Sequence, residues 1–297
     1  MDALAARHDP GPHNLLVRQR TPAEATAAID ELRARPGFDG AMRRLTVGLL
    51  KFNDENPVEG RTFADIPALA LGSLAIHLDA NGGLHHRALQ ALSGAGGLIS
   101  AGRATAVLWR MRRLGLVVPD SAYQSGKHRR FKPQPTLIGT LSANLRAHYE
   151  ALAPIDDDAQ RVMDDWDDPA TFQRLNSAMI RILLASIRRG DVNAQPLHGV
   201  SFMAMGIPIT LTFIEAAFSR GHDVAEGPVT VSLSQVSRRW GVSRSQARRV
   251  AHRLERAGLR SDPADAQLYE LTPTFRDSIE IYFGGVFRLM LDCIALM

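Results

Sequence analysis

One cysteine, Cys293, stands in a chain of 297 residues. A lone thiol excludes an intramolecular disulfide and a thiolate metal cluster, and it fits a reducing cytosol. Its apolar surroundings make it a poor site for a reactive thiolate. The N-terminus lacks the basic-then-apolar order of a secretion signal. No apolar run is long enough to span a bilayer: the longest uncharged stretch, residues 192–214, holds Asn193, Gln195, Pro196, His198 and Pro208, and reads as a buried helix. There is no phosphate-binding loop, since the glycine-rich "GGLHHRALQALSGAGG" has no lysine after it, and no nucleophile elbow. The histidines His77, His85 and His86 are not spaced for one helix face, and the aspartates at 156–158 lack the pattern of a calcium loop. These absences argue against an enzyme, a cofactor, a metal and a membrane span, and they place the chain in the cytoplasm.

What the chain does have is unevenly distributed positive charge. The formal net charge is +4 and 45% of residues are hydrophobic, enough for a packed core. Residues 150–168 hold eight acids against one arginine, so the remainder is much more basic than the average and suits an anionic partner. The stretch "GVSRSQARRVAHRLERAGLR" (241–260) alone carries six arginines. Like charges four apart on a helix repel, and a helix lying against a polyanion accounts for them.

The chain also repeats itself. Of 17 aligned positions in "SAGRATAVLWRMRRLGL" (100–116) and "SRSQARRVAHRLERAGL" (243–259), seven are identical, among them Ser100/Ser243, Ala104/Ala247, Arg110/Arg253 and Gly115/Gly258. "FKPQPTL" parallels "YELTPTF", and "AMRRLTVGLL" parallels "AMIRILLASI". A period of about 140 residues is too long for a solenoid and implies two related domains. The expected boundaries are a tail and short helix over 1–37, with Thr21 and Glu24 as a capping box, a first domain over 38–153, an acidic solvated linker over 154–169, and a second domain over 170–297.

In the second half, "PVTVSL" reads as a strand, "SQVSRRWGVS" as a helix ending at Gly241, and Ser243 as the N-cap of the next helix. There Ala247, Val250, Ala251, Leu254 and Ala257 form one buried stripe. Arg244, Ser245, Gln246, Arg248, Arg249, His252 and Arg253 are left facing outward. An Asp-Pro hairpin and an apolar closing helix follow. The first half matches, with Ala104, Val107, Leu108, Met111 and Leu114 as the stripe. Arg103, Thr105, Trp109, Arg110 and Arg113 are then available to a ligand. Its hairpin is longer and basic, with Lys127, His128, Arg129 and Arg130 at the tip, a pattern suited to a phosphate backbone or a minor groove.

The run "VSLSQVSRRWGVSRSQARRVAHRLERAGL…YELTPTF" resembles the winged helix-turn-helix of the multiple-antibiotic-resistance regulator (MarR) family, with Ser237 and Trp240 where that pattern has Ala and Leu. The resemblance implies a mainly α fold with small β-hairpin wings, its second helix set in a major groove. Regulators of that family are dimers joined through their terminal helices. Two copies of those helices in one chain imply an intrachain pseudo-dimer, with further homodimerisation through the same helices open. The implied function is sequence-specific binding of double-stranded DNA and transcriptional regulation at the nucleoid, with a small apolar effector between the helices as an option. Two alternatives remain: a plasmid- or phage-type replication initiator with tandem winged helices, and a winged-helix module that binds protein.

Overall fold

The computed structural model describes residues 21–95, 99–123, 129–188, 197–219 and 226–297. The chain is mainly helical with two small antiparallel sheets. Its helices and strands follow one order twice. The first pass runs α1 (Pro22–Arg33), α2 (Phe38–Glu55), α3 (Pro57–Thr62), α4 (Ile66–Ala80), β1 (Leu84–His85), α5 (His86–Ala95), α6 (Ala101–Arg113), β2 (Val117–Pro119), β3 (Arg130–Pro133) and α7 (Pro135–Leu152). The second runs α8 (Asp157–Asp164), α9 (Pro169–Arg188), α10 (His198–Ser201), α11 (Gly206–Phe218), β4 (Gly227–Thr230), α12 (Leu233–Trp240), α13 (Arg244–Glu255), β5 (Leu259–Ser261), β6 (Leu268–Leu271) and α14 (Pro273–Ile294).

The sheets are built alike. The third strand of each pass lies in the middle, giving orders β1-β3-β2 and β4-β6-β5. Registers correspond: Val117 faces Pro133 as Leu259 faces Leu271. Each hairpin is thus extended to three strands by the strand before the helix pair. β1, only two residues long, carries no sequence pattern by which it could be foreseen.

The helices that open and close each pass form the centre of the molecule. α2 packs on α7 and α9 on α14, while α2 crosses to α11 and α9 to α4. α1 lies on α14 and α8 on α7, so each pass lays its first helix on the last helix of the other. Thr21 and Glu24 cap α1 reciprocally. Arg33 then bonds Asp277 at 2.5 Å and Glu280 at 2.7 Å. Leu32 is buried, so the short helix is part of the core rather than of a tail; residues 1–20 lie outside the described residues.

The acidic segment departs from the expected solvated linker. Asp156 accepts from the backbone N–H groups of Asp158 and Ala159 and caps α8, and it also pairs with Arg35 at 2.6 Å. Ala159, Val162 and Trp166 recur at helical spacing and are buried, with Trp166 5.9 Å from the ring of Tyr149. One face is charged and one is apolar, so the segment is a packed amphipathic helix.

α14 buries Phe275, Ile279, Phe283, Phe287 and Met290 within the chain. The terminal helices that the sequence offers to a second copy are therefore already covered on this face. The stretch read as one buried helix at 192–214 is two: α10 and α11, joined at Met205, whose φ of 61° is left-handed. A Cβ on Gly206 would stand 1.8 Å from the carbonyl oxygen of Val200, so only glycine fits there. Among the described residues no helix is long and apolar enough to cross a membrane.

Candidate nucleic-acid interface

α12 and α13 are set by local chemistry. Ser232 and Ser243 accept from the backbone N–H groups of Gln235 and Gln246 and cap the two helices. Gly241 ends α12 in the left-handed region at φ 63°, a conformation that glycine adopts without cost. Trp240 is buried against α11, with its indole N–H donating to Thr212 Oγ1 at 3.1 Å. The turn after α12 is thus anchored by a large buried ring whose one donor is satisfied. α13 buries Ala247, Val250, Ala251 and Leu254 as expected. Turning that stripe inward leaves Arg244, Ser245, Arg248, Arg249, His252 and Arg253 exposed.

Arg244 and Arg248 make no ion pair among the described residues. Arg253 lies against Gly199 of α10, and Ser245 Oγ is 3.1 Å from Ser243 Oγ. His252 is paired with Glu255 at 2.7 Å. Gln246 is only half exposed and is already engaged: its Nε2 donates to the carbonyl of Ala204 at 2.9 Å and its Oε1 accepts from Arg249. Gln246, which the sequence places on the outward face, is thus held within the chain, its amide tying α13 to the turn before α11. Replacing Gln246 by alanine is expected to lower stability by about 1 kcal/mol, with base preference in a selection assay little changed. A narrowly altered preference at one base with no loss of stability would show instead that Gln246 reads a base.

The first pass presents a different surface. Ser100 caps α6, and Ala104, Leu108 and Met111 are buried. Leu114, expected in that stripe, is the C-cap residue and is 39% exposed, because the helix ends one residue before the apolar spacing does. Arg103 does not face outward freely: it bonds Asp65 at 2.9 Å. Asp65 is buried at the N-cap of α4, and burial raises its pKa against the pull of the Ala68 N–H and Arg103. Thr105 is also occupied, donating to the carbonyl of Ala101, accepting from Gln90 at 2.8 Å and lying 3.0 Å from His86 Nε2. Arg103, and Thr105 through Gln90 and His86, are thus engaged by partners distant in the chain that no local pattern reveals. Trp109, Arg110 and Arg113 are exposed as expected.

At the β2–β3 hairpin, Arg129 is exposed and Arg130 stacks 4.0 Å over the ring of Tyr123. Lys127 and His128 lie outside the described residues. The β5–β6 hairpin of the second pass carries Asp262 and Asp265, each accepting from a backbone N–H of its own turn.

α12 is braced by the first pass. Arg239 bonds Asp54 of α2 at 2.6 Å and Glu215 of α11 at 2.7 Å. Those bonds, that to Asp54 first, raise its pKa still further. Arg61 of α3 sits so close to Gly241 that a Cβ there would be 2.6 Å from its guanidinium. Sequence reasoning missed this brace, since neither partner lies near Arg239 in the chain.

A cavity of about 150 Å³ lies between α2, α4, α7, α9, α11 and α14. Leu49, Phe63, Leu145, Met179, Phe283 and Met290 represent its apolar walls, and among the described residues no Lys, Arg, Asp or Glu lines it. Burial lowers the pKa of His148 on its wall against the pull of its hydrogen bond to the Asn144 carbonyl, and pushes Tyr282 up to about 12. Asn176, buried there, donates through Nδ2 to the carbonyl of Ser73 at 3.1 Å. Its Oδ1 has no hydrogen-bond partner among the described residues. Cys293 is fully buried, and burial pushes its thiol up, which leaves it protonated.

Comparison of the chain with protein-family models, with curated proteins and with solved structures found no match.

Proposed function

We propose that this chain is a sequence-specific double-stranded DNA-binding protein, a transcriptional regulator in which two winged helix-turn-helix heads form an intrachain pseudo-dimer. The observation that carries the reading is α13: a serine-capped helix after a glycine-ended turn and before a hairpin, presenting Arg244, Arg248, Arg249 and Arg253 outward from a buried stripe. An arginine-rich helix in that setting suits a major groove, where arginine pairs with guanine and with phosphate. The reciprocal packing of α1 on α14 and α8 on α7 supports the pseudo-dimer, since each pass needs the other to cover its opening helix. The reading needs no catalytic group, no cofactor and no metal, and it places the protein at the nucleoid.

One chain then supplies both heads, and the heads are unequal. A footprint is expected to show two similar but non-identical half-sites about one helical turn apart, protected by one chain. Protection of a single half-site per chain, or of a strict palindrome that requires two chains, would count against it.

The cavity favours a companion reading in which a small ligand regulates the heads. A void of roughly 150 Å³ with apolar walls accommodates a single aromatic ring. Uncharged walls reject a carboxylate, and Asn176 Oδ1, buried on the wall without a partner among the described residues, becomes an acceptor for a ligand donor once its amide turns toward the cavity. Phenol is therefore expected to raise the melting temperature more than benzoate or benzene at equal concentration, and Asn176→Leu is expected to erase the preference for phenol over benzene. Equal shifts from all three compounds in the unaltered protein would remove the ligand reading.

A further inference from the structure

The two heads differ in a way that duplex reading leaves unexplained. At the positions where α13 carries Arg244, Ser245, Arg248 and Arg249, α6 carries Ala101, Gly102, Thr105 and Ala106. Its remaining early arginine, Arg103, is held by Asp65. The base-reading end of α6 is therefore almost blank. Its other end is not. Trp109 is 57% exposed, on the same outward face as Ala106, Arg110 and Arg113. Arg112 stacks 4.9 Å over its ring. Leu114 and Tyr123 are also exposed nearby in the chain, and Tyr123 carries the stacked Arg130. Among the described residues, the corresponding stretch of the second head, β4 to β6, exposes no large hydrophobic side chain. The position that matches Trp109 is His252, whose ring Nδ1 lies 2.7 Å from the Glu255 carboxylate.

Charge follows the same division. Residues 100–133 hold eight Lys and Arg and one Asp, whereas residues 243–271 hold six Arg and four acids. An exposed indole costs solvation unless something covers it. A protein partner would meet an apolar spot inside a collar of arginines with almost no acid to balance it. A polyanion with flat, apolar bases meets both features at once: backbone phosphates for the arginines and a π face for the ring.

We propose that the first head is a stacking platform for unpaired bases of a DNA strand, with Trp109 as the ring on which a base lies and Arg110, Arg112 and Arg113 as its phosphate contacts. The second head holds duplex. One chain would then grip the two kinds of DNA that meet where a duplex opens. The inference rests on the DNA-binding reading above and departs from it at one point: on opened DNA the first head takes unpaired bases, so protection of two duplex half-sites is expected only where the strands stay paired.

The molecule provides its own probe. Of its three tryptophans, Trp166 is 8% exposed and Trp240 is 2% exposed, so Trp109 alone answers to solvent. An oligothymidine strand of about 16 nucleotides is titrated into the full chain while tryptophan emission is followed. A duplex of equal length is run beside it. The single strand is expected to quench the exposed emission and to protect it from iodide, and the duplex is expected to do so much less. Trp109→Ala is expected to weaken single-strand binding roughly 5- to 150-fold, several times more than it weakens duplex binding. Its circular dichroism melt checks that the fold is intact, and Trp109→Phe is expected to recover most of the affinity because it keeps a π face.

Single-strand binding without quenching would overturn the proposal, as would equal quenching by duplex or equal losses on both DNAs in Trp109→Ala. Shielding of Trp109 that grows with protein concentration before DNA is added would overturn it in favour of a second copy of the chain. Loss of duplex binding alone, with quenching by the single strand retained, would strike the duplex reading and leave this one standing.

Discussion

Replacing Arg244, Arg248 and Arg249 together by alanine is expected to lower duplex affinity by roughly 100-fold or more, at about 1–3 kcal/mol for each arginine that reads a base. The slope of log affinity against log salt is expected to fall by about two to three units if all three meet phosphate. The two outcomes separate base reading from backbone contact, because a base reader also relaxes the preferred sequence at one position. Stability is expected to stay within about 0.5 kcal/mol, since all three side chains are exposed and none pairs with an acid among the described residues. A binding titration at several salt concentrations, run beside a thermal melt, decides the matter. Unchanged affinity at every salt would remove α13 from the DNA interface.

Tyr149→Ala is expected to cost about 3–5 kcal/mol and to shift one unfolding transition shared by the whole chain. Tyr149 on α7 is fully buried, packs beside Trp166, and donates its hydroxyl to the carbonyl of Met290 on α14 at 3.0 Å. The ring therefore sits where the last helices of the two passes meet, and a void there loosens both. Tyr149→Phe keeps the ring and is expected to cost only about 1 kcal/mol. Calorimetry that resolves two transitions, with only one moved by Tyr149→Ala, would show that the passes unfold independently and would contradict the shared core.

Local signals were legible in the sequence, and long-range ones were not. Ser243 before an alanine and valine stripe marked α13 and its outward arginines without reference to any other segment. Thr21 with Glu24, and the paired serines at the starts of α6 and α13, marked helix starts in the same way. The repeat foretold the recurring element order, because duplicated sequence meets the same packing problem twice. The acidic segment was misread for a reason internal to the pattern: eight carboxylates obscured Ala159, Val162 and Trp166, whose spacing of three and four is the stripe of a packed helix. The signal was present and was outweighed by charge. Arg103 and Gln246 are a different case. Their partners, Asp65 and the carbonyl of Ala204, lie 38 and 42 residues away, and nothing in periodicity or capping announces such a pairing. A candidate interface read from one helix alone therefore overcounts its free side chains.

The crossing of the first helix onto the last also sets a timetable. Arg33 and its partner Asp277 are 244 residues apart, so α1 leaves the ribosome long before its seat on α14 exists. At roughly 5–20 residues per second, that interval is about 10–50 s. During it Leu32 and the faces of α2 and α7 meant for the second pass have no permanent cover, and the growing chain presents an apolar surface to its surroundings. The first pass cannot finish folding while the second is still being made. A ribosome stalled in α12 would hold a chain in which α1 still lacks its seat on α14.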